Sequence, residues 1–293
     1  MQLGSAKWRC RGERGSFAVA AHKGEKMKQL GIGLLASVVA ASCMAAETWK
    51  PRLSLQLYTF RDRSFVEAVT TAKKVGFEYV EAYPGQRLGE GFEGSIGPGM
   101  DAEKRQKVKD FLKAQGMKMV IFGVCGAGDE NGWKNLFSFA KDMGIEILQV
   151  EVGKDDKTLD MLDTLAGEYG VKVALHNHGQ KEGFPAEMKR QIGNRKNVGA
   201  GADTGHWLTS GVSDLDGIKL LEGRIFTLHF VDVNKMENGG HAVPYGTGVG
   251  QLAKIMEELR RQKFNGIISC EYEHMTPKLE DEVAQCVKWY KAL

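Results

Sequence analysis

Along the chain, short apolar runs alternate with longer amphipathic stretches. The runs are Leu53–Tyr58, Tyr79–Tyr83, Met117–Phe122, Ile147–Glu151, Lys172–His176, Val198–Asp203, Ile225–His229 and Gly266–Glu271. Each has the length of a strand, and a strand covered on both faces reads as such a continuous run. Between them, Ser64–Val75, Ala102–Gln115, Trp133–Met143, Thr158–Tyr169 and Leu252–Gln262 carry apolar residues at helical spacing. The joints repeat as well. Gly76, Gly116, Gly144 and Gly170 each separate a helical stretch from the next run, where glycine accepts the left-handed conformation that ends a helix.

Strand alternating with helix predicts parallel pairing through crossover helices. Residues 47–293 match the roughly 250 residues of a closed barrel of eight such units. An open doubly wound sheet would want a Gly-rich phosphate turn after its first strand, and LQLYTFRDR is not one. No Pro-rich or Ser-rich linker divides the body. The prediction is an α/β protein with a single (β/α)8 TIM barrel over residues 47–293.

Composition narrows the class. A hydrophobic fraction of 42% excludes wholesale disorder and supports a large core. The formal charge of +3 sits at one end: residues 1–46 hold seven basic and two acidic residues, leaving 33 basic against 35 acidic beyond them. A body this neutral has no field for gripping a polyanion, so no nucleic-acid partner is expected. The N-terminal stretch reads as an address. Lys28 opens a short basic region, Leu30–Val39 form an apolar segment too short to span a bilayer, and small residues run to Ala46. Residues 1–46 are therefore predicted to be an N-terminal extension and signal peptide, with Met27 as an alternative start and a periplasmic location. Cys43 offers lipidation as the alternative, the one route to a membrane, although Ala40 stands where such sites usually carry Leu. Export leaves Cys125, Cys270 and Cys286, predicted to be free buried thiols.

The chemistry collects at the C-terminal ends of the predicted strands, the face on which barrels of this type build their sites. Glu151 ends the fourth run, His176-Asn177-His178 the fifth, Asp203-Thr204-Gly205-His206 the sixth, His229 the seventh and Glu271-Tyr272-Glu273-His274 the eighth. Imidazole and carboxylate groups converging from separate strands suit one divalent metal ion, Mn²⁺, Zn²⁺, Co²⁺ or Fe²⁺. Such an ion polarises a carbonyl or hydroxyl while a free carboxylate or histidine moves a proton. Tyr58, Tyr83 and Trp207 stand near the same rim, and aromatic faces suit a carbohydrate. Gln56 and Glu81 end the first two runs, as pocket lining or as structure. Asp232 is placed either behind a metal histidine or in a loop ion pair, and Gly246-Thr247-Gly248 as a flexible turn over the site.

LHNHG, DTGHW, HFVD with the following PYGTGVG loop, and the closing SCEYEH together resemble the xylose-isomerase-like barrel superfamily, over essentially residues 52–292. The resemblance implies metal ligands at Asp203, His229 and Glu271, and a substrate-side histidine at His206. The strand-five ligand, commonly Glu in that family, is His176 here. Glu151 is the candidate for the displaced carboxylate, as ligand or as base, and either His176 or His178 ligates while the other meets substrate. Val231 takes the place of the family's strand-seven Lys.

The activity this implies is that of a metal-dependent isomerase or epimerase, moving a proton next to a carbonyl of an unphosphorylated carbohydrate. Glu151, Glu271, His178 and His206 are the acid–base candidates. The rival enzyme reading is a lyase or hydratase acting by β-elimination on a 3-keto-glycoside. A third reading, a non-catalytic carbohydrate-binding barrel, is disfavoured by the joint presence of Asp203, His229 and Glu271. The superfamily that the chain resembles also includes metal-dependent AP endonucleases, and that resemblance would imply further histidines on strands two to four, where Tyr83, Cys125 and Glu151 stand instead.

Overall fold

One-sided helices and two-sided strands are both satisfied when the helices wrap a sheet. The computed structural model describes residues 49–293, so the predicted export signal and Cys43 lie outside the described residues. The chain runs β1 (Arg52–Gln56), α1 (Phe65–Val75), β2 (Tyr79–Ala82), α2 (Ala102–Gln115), β3 (Lys118–Cys125), α3 (Glu130–Met143), β4 (Ile147–Glu151) and α4 (Asp156–Tyr169). It continues with β5 (Lys172–His176), α5 (Pro185–Ile192), β6 (Val198–Asp203), α6 (Thr204–Thr209), α7 (Asp214–Leu220) and β7 (Ile225–Phe230). A small hairpin follows, β8 (Asp232–Val233) with β9 (Ala242–Val243), and then α8 (Leu252–Arg261), β10 (Ile267–Cys270) and α9 (Leu279–Lys291).

Eight strands close into a barrel in the order β1-β10-β7-β6-β5-β4-β3-β2, with every neighbouring pair parallel. All eight predicted runs are barrel strands. Helix starts follow local rules: Ser64 and Glu67 form a reciprocal capping box on α1, and Asp101, Asp129 and Asp155 cap α2, α3 and α4. The glycines that end these four helices all have left-handed φ, from 65° to 104°. Tyr58 leaves the first strand early: the Gln56 side chain accepts its N–H at 3.1 Å, starting a 3-10 turn over Leu57–Phe60. No helix among the described residues is long and apolar enough to cross a membrane.

The strand alternation sorts side chains into two environments. Outward residues such as Leu148, Val150, Val173 and Leu175 join the core between sheet and helices, whereas Ile121, Ile147, Ala174 and Ile267 form a separate cluster. Stepping by two from those positions gives Gln149 and Glu151 on β4, His176 on β5, and Ser269 then Glu271 at β10. The barrel interior thus changes from aliphatic to polar to ionisable toward the C-terminal mouth. Cys125, Cys270 and Cys286 are free and buried.

Candidate active site

His176, Asp203 and His229, at the ends of β5, β6 and β7, are buried and bring their ligand atoms within 4.8 Å of one another. Glu271 follows β10 and adds a fourth group, its Oε2 lying 2.8 Å from His229 Nδ1. Asp203 Oδ2 is 3.6 Å from the same nitrogen. Despite these neighbours, His229 Nδ1 makes no hydrogen bond of acceptable angle, an orphaned donor–acceptor atom in the middle of the group.

His229, His176 and Asp203 are each held from behind. His229 Nε2 meets Glu81 Oε1 at 3.0 Å, and Glu81 Oε2 accepts from Ser269 Oγ at 2.6 Å. Gln149 Nε2 donates to Glu81 Oε1 at 2.5 Å and fills the space left by two neighbouring glycines: a Cβ on Gly123 or Gly201 would meet Gln149 at 2.4 or 2.2 Å. A carboxylate behind a histidine fixes the tautomer and aims the other ring nitrogen at a metal. His176 Nδ1 is 3.2 Å from the Gly201 carbonyl, which leaves Nε2 free. Asp203 divides its oxygens. Oδ1 caps α6 through the His206 N–H at 2.7 Å, while Oδ2 faces His229. The capping and ligating roles are therefore compatible. Asn177 ties β5 to β6 beside it, exchanging two hydrogen bonds with the Asp203 backbone.

Burial and charge set the protonation pattern. Burial pushes the His176 imidazole well below its ordinary value, reinforced by the charge of His229. Burial opposes charge on His229, but Glu271 and Glu81 overcome it and hold the imidazole well above its usual range. Asp203 is held low by the surrounding histidines against burial, and burial raises Glu271. Glu81, Asp203 and Glu271 are three buried carboxyl groups around one raised imidazole. Excess negative charge in a low-dielectric interior is costly unless a cation offsets it. Together with the orphaned His229 Nδ1 and the mixed N/O donors, this fits a divalent metal held by His176, Asp203, His229 and Glu271.

The other candidates distribute around this group. Glu151 is outside the three-residue cluster: its Oε2 is 2.6 Å from His178 Nδ1, and its other oxygen accepts from Gln180. The pair raises His178 and, against burial, lowers Glu151. His178 lies beside His176 and His206, with ring centroids at 4.6 and 5.2 Å. Tyr58 and Tyr83 meet edge to face at 5.2 Å and, with His176, His178, His229 and Glu271, line a cleft of about 390 Å³. Trp207 corrects an expectation. It is fully buried, its indole N–H donates to the Gly183 carbonyl at 2.8 Å, and its ring packs where Gly217 leaves room, so it presents no face to a sugar. Asp232 accepts the backbone N–H groups of Gly246, Gly248 and Gly250 at 2.8–3.0 Å. It anchors that loop rather than a metal histidine, and the loop is tied down rather than free.

From the sequence, Glu81 is a candidate for pocket lining or structure, and Gln149 is no candidate. The signal was present: each is a polar residue inside an apolar run, on the inward side of the alternation that ends in Tyr83 or Glu151.

The architecture is a closed parallel barrel with buried imidazole and carboxylate groups at its C-terminal mouth that could hold a metal ion. Residues 69–293 match the family described as xylose isomerase-like TIM barrel, and the chain belongs to that family. No protein of curated function matches it. Among solved structures, a putative uncharacterized protein from Parabacteroides distasonis is 28% identical with a TM-score of 0.68, covering 83% of this chain and 98% of that one. The probable 3-DHS dehydratase of petrobactin synthesis from Bacillus anthracis is 16% identical, TM-score 0.64, over 82% and 98% of the two chains. The 3-keto-D-glucoside 4-epimerase of E. coli is 15% identical, TM-score 0.60, over 83% and 100%. At such identities the last two share the fold.

Proposed function

We propose that the protein is an exported, metal-dependent enzyme that moves a proton on a carbon next to a carbonyl of an unphosphorylated carbohydrate, as an epimerase or isomerase. The observation that carries this reading is the buried His176–Asp203–His229 group with Glu271 against it. A bound divalent ion would supply Lewis acidity to substrate oxygens. The dehydratase and epimerase among the structural neighbours support an enzyme in general terms. Among the described residues that line the cleft there is no lysine or arginine, the side chains that ordinarily hold phosphate groups, and Arg61 stands at its edge with its guanidinium over the Tyr58 ring and on the Glu273 carbonyl.

The chain's own groups would do the proton work. Glu271 is a buried carboxyl with its proton affinity raised. His178 has Nδ1 held by Glu151, leaving Nε2 as the exchanging atom, a histidine oriented by a carboxylate. His178 follows β5, three strands around the barrel from β10, which leads to Glu271. Acid–base groups on separate arcs of the mouth can reach different faces of a bound sugar. Tyr58 and Tyr83 would hold its C–H surface.

Metal analysis of the purified protein should find about one equivalent of divalent metal, and the loaded protein should exchange a ketose C–H for deuterium in D₂O. Absence of metal after Mn²⁺ and Zn²⁺ have been supplied, or no exchange across ketoses and 3-oxidised glycosides, would overturn the proposal. Release of a leaving group alongside exchange would identify the β-elimination reading instead. Cell fractionation tests the export signal separately.

A further inference from the structure

The cleft over the metal group does not end at Tyr58 and Tyr83. A second lobe of about 420 Å³ opens beside it, and His206 and Glu273 line both. Asp203 reaches the second lobe, whereas His176, His229 and Glu271 line the first. The metal group therefore stands at the junction of two spaces. The outer wall of the second lobe comes from the β8–β9 hairpin, which is not part of the eight-unit repeat, and from the segment after β10.

That wall has the chemistry of a sugar subsite. His241 from the hairpin and His274 from the segment after β10 stack at 4.0 Å between ring centroids, 42° from parallel. The two tilted rings bring imidazole nitrogens to this wall. Asn238 and Glu273 add an amide and a carboxylate, the groups that bind vicinal hydroxyls, and Val231 and Val233 give an apolar floor. No lysine or arginine is among the described residues that line this lobe. Each lobe alone reaches the size of a small-molecule site, roughly 300 Å³ or more, so a single monosaccharide fills one and leaves the other empty.

We propose that the second lobe is a binding site for a second pyranose, and that the substrate is a two-ring glycoside. Its reacting ring lies against Tyr58 and Tyr83, and its glycosidic bond crosses between His206 and Glu273. The proposal rests on the carbohydrate reading of the first lobe and goes beyond it in fixing the size of the substrate and the residues that read its second ring.

Calorimetric titration of the full chain, supplied with Mn²⁺, with glucose, cellobiose and maltose tests it. At least one disaccharide should bind about tenfold or more tighter than glucose. Asn238→Ala/His274→Ala should bring that ratio to about one, and Asn238→Trp, which fills the lobe from an exposed position, should do the same. Circular dichroism checks that each variant is folded. Equal binding of glucose and both disaccharides, or a ratio untouched by both variants, would overturn the second-ring site while leaving the first lobe a sugar site. No binding of any of the three sugars would overturn the carbohydrate reading and this proposal with it.

Discussion

At the scale of single residues, His176, Asp203 and His229 are positioned by polar groups behind them. Glu81 is the clearest case, a fully buried carboxylate that touches His229, Gln149 and Ser269. Glu81→Gln keeps the side-chain shape and two of those hydrogen bonds but removes the charge that sets the His229 tautomer. It should weaken metal affinity about 10–100-fold, measured by competition with a chromophoric chelator, with the circular dichroism spectrum unchanged. Unaltered affinity would show that Glu81 only fills the barrel. At this scale the sequence was legible for the groups that cluster, because His176, Asp203, His229 and Glu271 each end an apolar run. It was not legible for Trp207. An aromatic ring one residue after His206 is buried or exposed according to which way α6 turns, and here the turn places it under Gly183 and Gly217.

At the scale of elements, the pairing of β1 with β10 that closes the barrel brings its last helix against its first. Glu280 at the start of α9 accepts from Arg63 and Lys74, both at 2.8 Å, on either side of the α1 face. The hydrogen bonds from Lys74 and Arg63 hold its carboxyl below the ordinary value of 4.5. A carboxyl depressed in the folded state stabilises it above the unfolded value, and that contribution is lost as pH falls through the folded one. Glu280→Gln should therefore cost under about 1 kcal/mol at pH 7, since the pair is partly solvated. The gap in urea midpoints between the two proteins should close as the pH is lowered below 4.5. A gap independent of pH would mean that the glutamate acts by shape alone. Strands, helices and glycine joints were readable because their signals are local: apolar periodicity, an Asp or Ser at the helix start, a glycine at its end. The β8–β9 hairpin carried no such signal. Its strands are two residues each, and its form depends on Asp232 collecting three backbone N–H groups from a loop 14 to 18 residues away.

At the scale of the whole molecule, the site is drawn from β4 through β10, so a metal binding the folded state and not the unfolded one should stabilise the entire barrel. At a free Mn²⁺ or Zn²⁺ concentration a hundred times its dissociation constant the gain is about 2.7 kcal/mol, which for a chain of this size raises Tm by roughly 5–10 °C. Asp203→Asn/His229→Ala should abolish the rise; the Asn retains the oxygen that caps α6. A metal-dependent rise that survives in that variant would place the ion elsewhere.

The sequence by itself determined the barrel, the order of its strands and the end of the barrel at which the chemistry gathers, because each is written in patterns a few residues long that recur eight times. Only the tertiary structure decided which groups stand together. His176, Asp203 and His229 are brought within 4.8 Å across three strands, Glu151 is turned to His178, and Glu81 is set behind His229 from the far side of the barrel interior. Those choices depend on strand register and on the space that Gly123 and Gly201 leave for Gln149. Register and space are properties of the closed barrel, where residues dozens of positions apart become neighbours, and no local pattern encodes them.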